Sequence, residues 1–169
     1  MNRREGTAWL RSGVLLPAAA VVALAAVALA LVSQHVYDMQ PCAWCVLQRL
    51  IFIAIAAAAL LAWALPASGQ AQAPRRAGAA LMLLLCAGGV AAALWQHFVA
   101  ANAESCAFSP PERFIAWTGL DARFPEVFVA YASCADAKVN LLGLPYEFWS
   151  LGLFALLGAA ALQVLRRPR

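Results

Sequence analysis

The chain has 169 residues, 64% of them hydrophobic and only 12% charged, with a mean hydropathy of +0.76. Water-soluble domains carry about 25% charged residues, so this composition excludes an ordinary soluble domain and points to a lipid bilayer. The net charge of +4 does not indicate a nucleic-acid partner, because the arginines lie in short clusters beside apolar runs rather than along a basic face.

Arg3, Arg4 and Arg11 precede an apolar run over about 12–32. That run is long enough to span as a helix, which needs roughly 20 residues. A signal peptide is the competing reading, since the start is basic and Ala28-Leu29-Ala30 resembles a cleavage site. The run is longer than a usual signal core, which favours a retained helix. Pro17 lies near its start, where a helix tolerates it best. A polar connection over about 33–46 carries Pro41-Cys42-Ala43-Trp44-Cys45. The second run, about 47–65, is rich in alanine and ends at the breaker residues Pro66-Ala67-Ser68-Gly69.

A small loop with Arg75 and Arg76 leads to the third run, about 78–99. Gly88-Gly89 gives it a small-residue face suited to close helix contact, and Trp95 and His97 fall near its interfacial end. The polar segment over about 100–145 holds Cys106 and Cys134. Two pieces inside it, Phe114-Ile115-Ala116-Trp117 and Val127-Phe128-Val129-Ala130-Tyr131, are semi-apolar. Short helices lying on the membrane and a small soluble cap are both open readings of them. Pro145-Tyr146-Glu147-Phe148-Trp149 opens the fourth run, about 146–165. Proline suits a first helical turn, Glu147 suits the positive end of the helix dipole, and Tyr146 and Trp149 suit an aromatic belt.

The expected architecture is therefore an all-α membrane protein, a four-transmembrane-helix bundle forming a single integral domain over 1–169. With four spans, Arg3, Arg4 and Arg11, then Arg75 and Arg76, then Arg166, Arg167 and Arg169 fall on one side, which the positive-inside rule makes cytoplasmic. Both cysteine-bearing loops then fall on the other side. Of the five cysteines, Cys42, Cys45, Cys106 and Cys134 lie in those loops. An even set in aqueous loops suggests disulfides and an oxidising compartment. Cys86 sits mid-span, where a buried thiol behaves as a small inert hydrophobe.

Cys42 and Cys45 form a Cys-x-x-Cys pair. A structural disulfide or a zinc half-site are the plain readings. Zinc wants a second close pair, whereas Cys106 and Cys134 are 28 positions apart, and covalent haem attachment wants histidine where Val46 stands. A helix starting near Cys45 places that sulfur among unpaired backbone N–H groups, with Arg49 one turn on, and this setting favours redox use. Arg49 either snorkels at the interface or hydrogen-bonds a carbonyl of a bound acceptor and steadies the Cys45 thiolate. Cys106 and Cys134 either staple a long loop, worth roughly 3–4 kcal/mol, or form a shuttle disulfide. His35 and His97 lie at the outer ends of spans, so a b-type haem between them is a minor reading.

In this arrangement the chain resembles the DsbB family of bacterial disulfide-bond formation proteins. The likeness rests on four spans, on Pro41-Cys42-x-x-Cys45 followed by Arg49, on two cysteines in a long second outer loop, and on Leu142-Gly143-Leu144-Pro145-x-x-x-Trp149 opening the last span. The resemblance implies an inner-membrane thiol:quinone oxidoreductase with both termini cytoplasmic, and no metal. A reduced periplasmic oxidase of the DsbA type would attack Cys106. Cys134 would then pass reducing equivalents to Cys42–Cys45, and Cys45, beside Arg49, to ubiquinone or menaquinone from the membrane pool. Gln48, where an acidic residue is more usual, and Trp95-Gln96-His97, which offers no arginine, depart from the pattern. An enzyme of the vitamin K epoxide reductase type would order its cysteine pairs the other way round. A non-enzymatic four-helix subunit with stapling disulfides, with or without haem, is the alternative from another class.

Overall fold

A computed structural model describes residues 12–64, 72–102 and 109–166. Four long helices dominate it: α1 (Ser12–Tyr37), α2 (Ala43–Ala64), α3 (Gln72–Phe98) and, last in the chain, α7 (Tyr146–Arg166). All four are long and apolar enough to cross a membrane. Between α3 and α7 come a 3₁₀ turn at Ala100–Asn102 and three short helices, α4 (Pro110–Thr118), α5 (Leu120–Arg123) and α6 (Pro125–Phe128). A small antiparallel hairpin follows, in which β1 (Asn140–Leu141) pairs with β2 (Leu144–Pro145).

α1 runs as one helix through Pro17 and through Ala28-Leu29-Ala30. It continues past the apolar run, and α2 starts at Ala43, so the first outer connection shrinks to 38–42 and Cys45 becomes helical. The extension past Val32 is held by Gln34, whose amide finds partners at the outer end of the bundle. The breaker stretch Pro66–Gly69, the arginines Arg3, Arg4, Arg11, Arg167 and Arg169, and Cys106 lie outside the described residues. Arg75, Arg76 and Arg166 stand at the start of α3 and the end of α7, where Arg76 Nη2 donates to Leu165 O at 3.2 Å. Cys42, Cys45 and Cys134 lie at the opposite end.

Each long helix contributes an inward stripe at helical spacing: Leu16, Ala19, Ala20, Ala23 and Val27 from α1, for example, and Phe154, Leu157, Ala161 and Val164 from α7. Alanine is frequent in these stripes, so backbones approach closely and dispersion replaces the hydrophobic drive that lipid cannot supply. α2 packs between α1 and α3, and α3 packs on α7, while α1 and α7 meet less closely than these neighbours. Cys86 is buried in this core, facing Gly158 of α7.

The glycine pair divides. A Cβ on Gly88 meets nothing within 4 Å, but one on Gly89 falls 2.5 Å from the Phe154 ring. That ring has nowhere to go, because it stacks on Phe52 at 4.1 Å between centroids. Gly89→Ala is therefore expected to lower stability by about 1–3 kcal/mol, the usual cost of overpacking. Gly88→Ala is the control and leaves it unchanged. Apparent melting temperatures of the two variants in detergent check this.

The polar segment forms a small cap whose α4 begins with Pro110 and Pro111 and ends at Gly119, in the left-handed region at φ 66°. Its Ile115 and the Phe128 of α6 bury against Val46 at the head of α2. Phe114 and Trp117 stay exposed on the other side of α4. The hairpin turn puts Leu142 and Gly143 at positive φ, as a two-residue type I′ connection requires.

Candidate functional site

The first turn of α2 sets out the chemistry. The carbonyl of Cys42 accepts the first intrahelical bond, from Val46 N at 3.0 Å, which makes Cys42 the cap residue and Cys45 the third residue of the helix. The Cys42 sulfur accepts a hydrogen bond from the backbone N–H of Cys45, as a capping side chain does. The two sulfurs lie 3.1 Å apart, in non-bonded contact. The Cys-x-x-Cys spacing and the helix start thus coincide, and a first-turn N–H meets the Cys42 sulfur.

Cys134 comes to the same place. Pro41 has a carbonyl but no N–H, and that carbonyl accepts from Tyr131 N at 3.0 Å and Ala132 N at 3.3 Å. This pins the segment just before Cys134 to the residue just before Cys42. Cys42 and Cys134 are both buried, in a cluster with Ala100. Three of the four loop cysteines therefore meet at one point. Cys106, the fourth, lies outside the described residues.

The hydrogen bond to Cys134 comes first among the causes that push the Cys42 thiol from 9.0 up to about 12, with burial adding to it. The sign is that of an acid kept neutral by folding. Its contribution to stability is complete below about pH 9 and is lost as the pH rises toward 12. Cys42 should accordingly react slowly with iodoacetamide at pH 8, and Cys134→Ala should speed that reaction. Peptide mass spectrometry after timed alkylation reads both rates.

One turn inward lies a cavity of about 210 Å3. A cavity of about 150 Å3 holds a benzene ring, so this one has room for a single substituted ring. Ala26, Val27, Phe52 and Leu153 make its deep wall, within the spans. Its polar lining includes Cys45, Gln48 and Arg49 of α2, Gln96 of α3, and Tyr146, Glu147 and Ser150 of α7, with Ser33 and Gln40 beside them.

Arg49 is the most unusual of them, being only 5% exposed. Its Nη1 donates to Gln34 Oε1 at 2.7 Å and to Val127 O at 3.2 Å, and its Nη2 to Ala30 O at 3.3 Å. All are neutral acceptors. Among the described residues no carboxylate lies within ion-pair distance of it. A buried guanidinium without a counter-charge makes the cavity receptive to an anion or a polarised carbonyl. Gln34 completes the bracket by donating Nε2 to Glu126 O at 3.3 Å, tying α1 to α6.

Gln48 and Gln96, the two departures from the family pattern, complement one another. Gln48 Nε2 donates to Gln96 Oε1 at 2.7 Å, which fixes the second amide so that Gln96 Nε2 faces Cys45 Sγ at 3.2 Å. Tyr146 OH lies 3.3 Å from Ser33 Oγ at the outer wall. The two histidines engage separate carboxylates, His35 with Glu126 at 3.6 Å and His97 with Glu147 at 2.7 Å. Gln34, Gln96 and Glu147 were absent from the residues expected to act. The available signal was that each is a polar residue within, or at the mouth of, an apolar run.

Four helices able to cross a membrane, with a dithiol at their outer end and a buried cation beside it, define a multi-pass membrane thiol protein. The family described as Disulfide bond formation protein DsbB matches residues 12–164, and the chain belongs to that family. It is 32% identical over 151 residues to Disulfide bond formation protein B of Dechloromonas aromatica, covering 86% of this chain and 88% of that protein. It is likewise 33% identical to Disulfide bond formation protein B of Escherichia coli strain K12, covering 88% and 84%. The one from Cupriavidus metallidurans is 32% identical, covering 89% and 91%. The protein is thus a membrane disulfide bond formation protein with an oxidoreductase role.

Proposed function

We propose that the protein reoxidises a periplasmic dithiol oxidase of the DsbA type and passes the electron pair through two cysteine pairs to a quinone of the bacterial inner membrane. The observation that carries this reading is the shared cavity: Cys45 and Arg49, which has no carboxylate partner among the described residues, line one pocket whose deep wall is apolar. The residues suit a quinone in volume, in apolar lining and in a cationic donor for a ring carbonyl. A quinone bound there would take up two electrons and two protons and leave as the quinol. Because a DsbA-type oxidant is itself strong, at about −120 mV, it needs an acceptor of this kind.

The chain's own residues supply the rest. A thiolate of the partner attacks Cys106 of a Cys106–Cys134 disulfide, forming a mixed disulfide and releasing Cys134 as thiolate. Cys134 then attacks Cys42 of a Cys42–Cys45 disulfide and releases Cys45 as thiolate; the contact between Cys134 and Cys42 supports this order. The second thiol of the partner resolves the mixed disulfide and leaves with the partner's own disulfide restored. Cys106 resolves the Cys134–Cys42 bond, so that Cys106–Cys134 reforms and the electron pair rests on Cys42 and Cys45. Gln96 and Arg49 hold Cys45 and the acceptor in register. In this reading the arginine clusters face the cytoplasm and the cysteines the periplasm.

The test uses purified protein in detergent with a reduced DsbA-like dithiol protein and soluble analogues of ubiquinone and menaquinone. Quinone absorbance should fall catalytically with one or both. A folded protein that reduces neither would return the cysteines to a stapling role.

A further inference from the structure

The proposed chemistry leaves one ionisable pair unused. Glu147, in the first turn of α7, lines the cavity, and its Oε1 lies 2.7 Å from His97 Nδ1 in the last turn of α3. The two side chains differ in exposure, 32% for His97 and 10% for Glu147. The histidine is therefore the more exposed member, and the carboxylate the inward one. Phe98 and Phe148 hold the imidazole edge-on, at 4.9 and 4.8 Å.

The geometry points to His97–Glu147 as the proton entry to the cavity: His97 takes a proton from outer water and passes it from Nδ1 to Glu147 Oε1, which presents it to the reduced acceptor. This rests on the quinone reading given above. The need for it follows from the balance of the reaction. Oxidation of the Cys42–Cys45 dithiol to a disulfide gives up two electrons and two protons, and the acceptor gains two of each. Cys45 is released as thiolate and brings no proton to the acceptor, so one must come from water. The cavity's other ionisable groups do not supply it: Cys45 is the electron donor, and Arg49 keeps its proton at all working pH values. Tyr146 lines the cavity with its hydroxyl near Ser33. Of the carboxylates in the cap, Glu126 faces His35 at 3.6 Å and does not line the cavity.

Glu147→Gln is the informative variant, since it keeps the shape and an acceptor for His97. Turnover with a reduced DsbA-like protein and a ubiquinone analogue should fall roughly 10²-fold near pH 8, the usual size of a general-acid contribution. The loss should shrink toward pH 6, and formate should restore part of the rate. His97→Gln should behave alike. In quinone-free protein, the nitrogen NMR signal of His97 Nδ1 should move when Glu147→Gln replaces the carboxylate it faces at 2.7 Å. Thiol exchange without quinone is the internal control and keeps its natural rate. An unchanged rate and pH profile would overturn the proposal, as would a loss equal at every pH and untouched by formate, which marks a helix clamp. Failure of the unsubstituted protein to reduce quinone sinks the parent reading instead, and this proposal with it.

Discussion

Cys45→Ser should abolish quinone reduction, by on the order of 10⁴-fold or to background, while leaving insertion and melting behaviour intact. Removing a nucleophile has effects of that size because the hydroxyl that replaces it is neither ionised nor a competent electron donor. The substitution is nearly isosteric, and Gln96 Nε2 can still donate to the serine oxygen, so the local packing has no reason to change. A second outcome follows from geometry. With Cys45 gone, Cys42 keeps Cys134 as its sulfur neighbour, so oxidation should join those two. Non-reducing peptide mapping would detect a Cys42–Cys134 bond. Quinone reduction at the natural rate would refute the assignment of Cys45. A variant that fails to insert would instead make the pair a staple.

The difference between what could be read from the chain and what required coordinates is a matter of range. The four helices were legible because an apolar run of about 20 residues has one stable solution in lipid, with every backbone group satisfied internally. The start of α2 was read late: the span was expected from about 47, with a helix start near Cys45, whereas Ala43 opens the helix and Cys42 caps it. Ends were read less well. α1 outruns its apolar stretch because Gln34 is held by Arg49 and by Glu126 O, partners 15 and 92 positions away. No periodicity encodes such a bond.

The same limit applies within the site. Arg49 stood out because a charge next to an apolar run is costly and invites a reason. Gln48 and Gln96 looked like departures when each was taken alone. Their meaning lies in a contact across 48 positions, where one amide orients the other toward sulfur. His97 and Glu147, 50 positions apart, are likewise ordinary residues of an interface until α3 and α7 bring them together. The meeting of Cys134 with Cys42 depends on two bonds to a single proline carbonyl.

Arg49→Met should raise the quinone KM by roughly 10- to 100-fold, the range set by losing a charge-assisted hydrogen bond worth about 1.5–3 kcal/mol. Stability should move little, and in the favourable direction if at all. Burying the guanidinium has a desolvation cost that three neutral acceptors offset only in part, and an apolar side chain of similar volume removes that cost. The loss of partners for Gln34, Val127 and Ala30 works against this gain. Arg49→Lys should fall between, because a point charge cannot serve α1 and the 126–127 segment together as the forked guanidinium does. Thermal scans beside quinone titrations separate the two effects. A variant that loses stability in step with activity would make Arg49 a structural bracket. One that keeps its stability while its quinone KM climbs places the guanidinium at the acceptor, where an otherwise uncompensated buried charge finds its use.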